Sequence, residues 1–479
     1  MIRRFVAVAC FALSAALGPA AAGTLENMTH PAPEGVDIAF QLTDGRLLGQ
    51  SAANERHWYL LTPDQNGSYV HGTWKRAADL PPDYAPYAFA SAVLGDGRVI
   101  VQGGEYNFGS FALTNRGEIY DPQKNVWTEL LPPPNWDYIG DSAAVVLPDG
   151  RYVVAEKLNR KMAALDPVSM TWTILPTRGK NDFNSEEGLT LLPDGSLLAV
   201  DVKVAPHTER YVLEARGWLD AGVTPSLLKS PPACCGCVPY GTNGCYYPPG
   251  ETGPAILRPD GAVFATGALP QGEATAHTAL YSPASNSWTA GPDFPDGDDA
   301  GDNFAVLLPN GRVLVQGASG SAYEFDGTNL VKQPVCTCGN SLIILPSGGV
   351  LVGGSAVYRP SGGVIDGGWR PKILGFPSTV ARGTTYQISG RQFNGLSQAN
   401  AFGDELMTST NYPLVRVTNN ATKHVFYART HDHSTMGVAT GRTIVSTDFE
   451  VPSAAEAGAS SLQVVANGIA SRPVAIDVE

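Results

Sequence analysis

The sequence predicts an all-β protein: a seven-bladed β-propeller followed by a small β-sandwich. Three observations carry this reading. An apolar strand, a turn centred on Asp-Gly and a second apolar strand recur along most of the chain. A second phrase, a strand, a Pro-containing turn and a strand bearing Trp, recurs between the copies of the first. The composition suits tight turns around a real core, with Gly 53 and Pro 37 among 479 residues, 43% hydrophobic and only 16% charged; that excludes both a disordered chain and a coiled coil.

The N-terminus reads as a leader. Arg3 and Arg4 precede an apolar run from Phe5 to Leu17, then Pro19 and Ala20-Ala21-Ala22. A charged region, a short apolar region and a small-residue cleavage site in that order mark a signal peptide over residues 1–22. The apolar run is too short to span a bilayer. The mature chain is expected to be secreted or periplasmic/extracellular and not membrane-spanning. A net charge of −13 repels phosphate backbones, so no nucleic acid is expected as a partner.

Residues 23–367 carry the repeat. Turns lie at Asp44, Asp96, Asp149, Asp194 and Asp260, with degenerate copies at Asn310 and Ser347. Asp-Gly between apolar runs is a strong hairpin signal, and a two-residue turn there needs positive φ. The mean spacing is about 50 residues, the kelch-type period. RGEIYDPQKNVWTEL around Trp127 matches the stretches around Trp172 and Trp288. Each unit is thus a four-stranded antiparallel sheet, and packing seven of them radially buries faces that none could bury alone. The seventh blade is expected to close with a strand from the Trp369 region or from residues before Glu34.

Residues 368–479 lack the turn phrase. Short alternating strands (TTYQISGRQF, YPLVRVTN, KHVFYART, TIVSTDFEVP, SSLQVVANG, PVAIDV) suit an immunoglobulin-like β-sandwich.

In such a blade the first hairpin strand is innermost, so the segment before each turn phrase lies at the mouth of the central channel, where function is to be sought. Those segments are rich in aromatics and carboxylates, among them Tyr84, Asp137, Asp141, Asp182, Phe183, Glu186, Glu251, Asp299 and Asn303. The candidate ligand-binding set is Tyr87, Trp136, Tyr138, Glu187, Tyr246, Tyr247 and Asp302. Rings stack on the apolar faces of sugars and carboxylates accept hydroxyl protons, so this set points to a carbohydrate. Glu186 and Glu187 are adjacent on a strand and point to opposite faces, so they are not a paired acid and base. His431-Asp432-His433 would put two imidazoles on one face of a strand, making His431 and His433 the candidate metal pair.

Six cysteines follow the leader: Cys234, Cys235, Cys237, Cys245, Cys336 and Cys338. The first four sit in a Pro/Gly-rich insertion before the fifth inner strand, the last two before the seventh, so both groups are expected at one mouth. An exported chain favours disulfides, which would staple the insertion over the mouth; the alternative is a soft-metal thiolate site, although the spacings fit no standard zinc pattern.

The propeller units together with NYPLVRVTN…VFYARTHDHSTMGVATG (Asn411 to Gly441) resemble the galactose oxidase and glyoxal oxidase family of secreted copper-radical enzymes, a kelch-repeat propeller followed by an immunoglobulin-like early-set domain. The resemblance covers nearly the whole mature chain. It implies a copper site of two tyrosines and two histidines, one tyrosine cross-linked to a cysteine. On that alignment Cys338 and Gly339 stand at a Tyr–His pair and Met436 stands at the second histidine. Ala88 stands at the other tyrosine, with Tyr87 one residue away, and no cysteine lies in the first three blades to cross-link it. The copper site therefore reads as degenerate and no cofactor is expected. The resulting expectation is an exported galactose oxidase-like protein that binds an extracellular carbohydrate or secreted protein at the channel mouth. The alternative is a copper-radical oxidase of primary alcohols or aldehydes with altered ligands, which would need copper.

Overall fold

The computed structural model describes residues 22–232, 237–240 and 244–479. The leader, Cys234 and Cys235 lie outside the described residues. Seven antiparallel sheets follow one another along the chain, six of four strands and one of four strands joined by a fifth from further along the sequence. Their innermost strands are Ile38–Gln41, Ala90–Val93, Ala144–Val146, Thr190–Leu191, Ala255–Leu257, Ala305–Leu307 and Leu342–Ile344, which open blades 1 to 7. These strands are short and almost wholly buried. Two apolar clusters join the blades: one includes Phe40, Val99, Phe264, Leu314 and Val350, the other links Val153, Leu197 and Val263. Burying such strands on both faces is what a radial arrangement achieves.

The seventh blade closes with the N-terminus. Thr24–Asn27 pairs antiparallel with Ala356–Arg359, and Arg359 meets Glu26 at 3.0 Å. Of the two closures left open by the sequence, the structure takes the one from before Glu34.

The recurring turn differs in kind from the two-residue hairpin expected. In blade 1 Gly45 N–H donates to Leu42 O, and Leu42 N–H donates to Arg46 O. Only Gly45 has positive φ, at 79°. This is a three-residue loop, a type I turn closed by a left-handed glycine. The aspartate's task is different too: Asp44 Oδ1 accepts from Arg46 N–H at 3.1 Å, and Asp96, Asp149, Asp194 and Asp260 cap their loops in the same way. The recurring Trp ties neighbouring blades. Trp127, Trp172 and Trp288 each donate their indole N–H to a backbone carbonyl of the preceding blade, Ala78, Leu131 and Ala221 respectively.

The last propeller strand ends at Arg359 and the next long run of strands begins with Lys372–Gly375. From there a nine-stranded sheet wraps its own core of Ile388, Val415, Val417, Phe449, Leu462 and Val464. This unit packs against the turn end of the propeller. Tyr427 lies against Gly45, Met436 N–H donates to Pro148 O, and Tyr412 OH donates to Gln41 O. No helix among the described residues is long and apolar enough to cross a membrane.

Candidate functional site

A loop of the C-terminal unit fills the axis of the propeller. Asn400–Ala401 adds to the inner strand of blade 6. Around it, Leu191 N–H of blade 4 donates to Gln398 Oε1 at 2.7 Å, Ile344 N–H of blade 7 to Asn400 Oδ1 at 2.9 Å, and Ser91 Oγ of blade 2 to Met407 O at 3.2 Å. One segment touching the inner strands of four blades can only run along the channel. Gly188 makes room for it: a Cβ there would lie 2.5 Å from Gly403 O, closer than side-chain carbons approach a carbonyl.

The loop carries Asp404 and Glu405 to the floor of the mouth. Asp141 approaches from blade 3 and Glu186 from blade 4, and all four are buried, at 1%, 6%, 5% and 4% exposure in that order. One ammonium serves them. Lys157, also 1% exposed, forms ion pairs with Asp141 and with Glu186, the latter at 2.7 Å. Tyr246 stands beside it, its ring centroid 5.3 Å from Lys157 Nζ, its hydroxyl donating to Glu186 and touching Ser185. Asp302 stands at the rim of the same pit, with solvent on one side and protein crowded around its carboxyl group; a Cβ on Gly403 would lie 3.1 Å from its Oδ1. Glu186 and Asp302 both hold left-handed backbone, with φ of 59° and 47°, a strained conformation for residues other than glycine.

The electrostatics follow from four buried carboxylates around one cation. Burial would raise Glu186, but Lys157 and the hydroxyl of Tyr246 outweigh it and hold it below the usual glutamate range. Burial likewise opposes the charge on Lys157, and Asp141 and Glu186 overcome it, so the ammonium persists to high pH. The other acids go the opposite way. Burial, then repulsion from Asp404 and Glu186, pushes Asp302 up to about 8. Burial and Glu186 push Glu251 up to about 11, and burial is the largest of the effects that take Asp404 to about 6. Glu405 is raised well above its ordinary value by burial and Asp404. The floor thus holds one ionised glutamate paired with a lysine beside acids that retain protons near neutrality.

Aromatic rings stand around this floor. Tyr87 is 44% exposed and heads a chain of rings with Tyr106 at 6.3 Å and Phe111 at a further 6.2 Å. Burial, then Asp37, Glu405 and Asp302, push its phenol up to about 12. Phe108, in the loop between Tyr106 and Phe111, and Tyr247, next in sequence to Tyr246, are exposed as well.

The structure brings together Tyr87, Tyr246 and Asp302 from the candidate set, with Asp141, Glu186 and Glu251 from the wider group of mouth residues. It does not bring Trp136 or Glu187. Trp136 is buried in the inter-blade core, its ring facing Lys161 at 5.8 Å. Glu186 and Glu187 lie in a turn before the inner strand rather than on it, so strand alternation does not set their directions; Glu187 enters a separate knot where Lys180 meets it at 2.5 Å and also meets Asp182, Asp201 and Glu209. Tyr138 is half-buried beside the start of blade 3. Cys237 and Cys245 are joined, as are Cys336 and Cys338.

The expected position of Met436 is corrected. It is buried against Pro148 and Gly95 at the turn end, opposite the mouth, and the loop that does reach the mouth presents Asp404 and Glu405. His431 and His433 are also at the far end and do not act as a pair. His431 lies with Asp432 and Asp448. His433 is turned inward, stacked 6.4 Å from Tyr412 and bonded to Thr447, and burial lowers it to about 3.

Lys157, Asp404 and Glu405 escaped the sequence reading, as did Glu105, whose carboxyl is raised by burial and by Glu186 and opposed by Lys157. Lys157 and Glu105 follow the second strands of their blades, and only the first-strand approaches were inspected. Asp404-Glu405 lies in a segment whose path up the channel no local pattern announces.

No protein-family model matches the chain, and no curated protein matches its sequence. Among solved structures, a fungal alcohol oxidase of the AA5 family, in complex with copper, aligns over 96% of this chain and 100% of its own, with a TM-score of 0.50 and 14% identity. A catalytically inactive virginiamycin B lyase from Staphylococcus aureus with quinupristin aligns over 70% of this chain and 98% of its own, with a TM-score of 0.48 and 10% identity. The first likeness shows the fold alone, an all-β propeller architecture.

Proposed function

We propose that this protein binds a neutral or amine-bearing carbohydrate at the propeller mouth and does not run copper-radical chemistry. The observation that carries the proposal is the make-up of the mouth, an acid floor beneath exposed aromatic rings. Tyr87 and Tyr247 offer faces for the apolar sides of sugar rings. The carboxyl groups below accept or donate to hydroxyls according to their protonation. Excess negative charge disfavours uronic and sialic acids and favours a ligand that brings an ammonium.

Copper was tested against the donors present. A tetragonal copper(II) site wants imidazole nitrogen with oxygen. Among the described residues no imidazole contacts the floor: His57 is held by Glu34, His207 by Asp201, His277 by Glu273 and Asp293, and His424 by Glu456. The residues at the mouth do not fit the group, and no step is derived through it. The copper-radical oxidase alternative has the fold likeness in its favour and the donor set against it. Export to an oxidising compartment is part of the proposal, supported by the leader-like N-terminus and the two cystines.

The test is a glycan array followed by calorimetry on the hits, with Tyr87→Ala and Glu186→Gln as variants. Neutral or amino sugars should bind and both variants should weaken them. Copper at one ion per chain with peroxide released on galactose or glyoxal-type substrates overturns the proposal. A silent array together with capture of a secreted protein moves the mouth to a protein partner.

A further inference from the structure

We infer that the floor of the mouth holds one hard divalent cation, of the calcium or manganese type, on Asp141, Asp404 and Glu405. One carboxylate oxygen from each of the three lies within 4.8 Å of the other two, and all three side chains are buried. Oxygen-only donors of this kind select hard cations over copper or zinc.

The arrangement of partners separates this group from an ordinary acidic cluster. Lys157 serves Asp141 Oδ2 and Glu186 Oε1, and that leaves buried acceptors over. Asp141 Oδ1 and Asp404 Oδ2 have no hydrogen-bond partner, on side chains 5% and 1% exposed. A buried carboxylate oxygen without a donor is costly, and a cation among the three would satisfy both. Charge leads to the same place. Asp141, Glu186, Asp404 and Glu405 face a single ammonium, and a divalent ion would bring the group close to neutrality.

The Lys180 knot also holds buried carboxylate oxygens without a hydrogen-bond donor, and it differs in where its ammonium stands. Its ammonium stands within 4.0 Å of carboxylate oxygens of Asp182, Glu187, Asp201 and Glu209, and so occupies the place an ion would take. At the mouth Lys157 pairs with two of the four carboxylates, and Asp404 and Glu405 form no ion pair with it. Two of the three cation ligands come from the loop of the C-terminal unit and the third from blade 3, so the ion would also pin that loop within the channel.

This inference concerns the floor beneath the proposed sugar site and stands or falls separately from it, because its test contains no sugar. The metal-free chain is titrated with calcium chloride and with manganese chloride by calorimetry at about pH 8, where protons compete less than at neutrality. One ion should bind per chain, with heats that depend on the buffer because protons are displaced. Asp404→Asn, Glu405→Gln and Asp141→Asn should each weaken binding at least about tenfold, while Asp182→Asn in the Lys180 knot should leave it unchanged. Circular dichroism verifies the fold of each variant, and a variant that fails to fold is replaced by the other two. Absence of saturable heat for the wild-type chain up to about 10 mM of either ion overturns the inference, as does equal affinity in Asp404→Asn and Glu405→Gln. Sugar binding is then measured with and without chelator, so that loss of the ion and loss of the sugar site are read apart.

Discussion

Replacing Lys157 with methionine removes the only cation paired with the floor carboxylates while keeping the length and apolar bulk of the side chain. The structure sets the size of the effect. Lys157 is 1% exposed and pairs with two carboxylates that are themselves buried, and Glu186, the one it holds ionised, is left as an uncompensated charge. Breaking a buried pair from one side costs about 3–5 kcal/mol. At about 2.1 cal/mol/K per residue, a chain of 479 residues unfolds with an entropy of about 1 kcal/mol/K, so Tm should fall by about 3–5 °C. The pH dependence identifies the cause. Lys157 holds Glu186 low, so the pair's contribution is present above the unfolded glutamate value of 4.5 and is lost as pH falls through the lower folded value. In the variant, Glu186 loses its counter-charge and takes up a proton on mild acidification. The deficit should therefore be largest near about pH 8 and shrink towards about pH 5. Adding Glu186→Gln should recover part of it. The assay is calorimetric unfolding of both chains across that range. A Tm deficit that is absent, or equal at both ends of the range, would refute the claim that Lys157 acts by charge.

Gly188→Val should destabilise by about 1–3 kcal/mol, because its side chain would meet Gly403 O and displace the channel loop; sugar binding should weaken with it, read by calorimetry. Deleting Thr24–Asn27 leaves the edge of Ala356–Arg359 unpaired, and limited proteolysis should then cut blade 7 first. Glu324 accepts from Tyr358 OH at 2.6 Å and Ser361 N–H at 2.9 Å and pairs with Arg312. Burial would raise it, but these partners keep it low, so its contribution holds above 4.5 and is lost as pH falls through the folded value; Glu324→Ala should flatten the acid limb of Tm against pH. Asp302, raised to about 8, has the opposite sign: its contribution is complete below the unfolded value of 3.8 and is lost as pH rises through about 8. Asp302→Asn should flatten that alkaline limb, and amine-bearing ligands should bind wild type more tightly as pH passes from about 5 to about 8 and the mouth gains charge.

The sequence alone determined the repeat and with it the blades, because the hairpin phrase is local. Asp44 and Gly45 carry out their turn using atoms within four residues, and Trp127 reports a Trp-bearing strand wherever the phrase recurs. It also located half of the mouth, since Asp141, Glu186, Tyr246 and Asp302 all precede an inner strand and inherit their place from the repeat. Tertiary structure decided everything that depends on threading. Asp404 and Glu405 reach the floor because the C-terminal unit sends a loop up an axis that only closed blades create, and Gly188 is small because that loop passes it. The resemblance placed Met436 there because matching residue types along a chain carries no information about which end of a channel a loop approaches. Likewise Trp136 and Glu187 had suitable side chains at suitable positions, and only packing turned one into the inter-blade core and the other towards Lys180. A pKa such as that of Asp302 depends on the charges gathered around it, and those come from different blades and a different unit. That gathering is the physical reason the chemistry of the mouth could not be read along the chain.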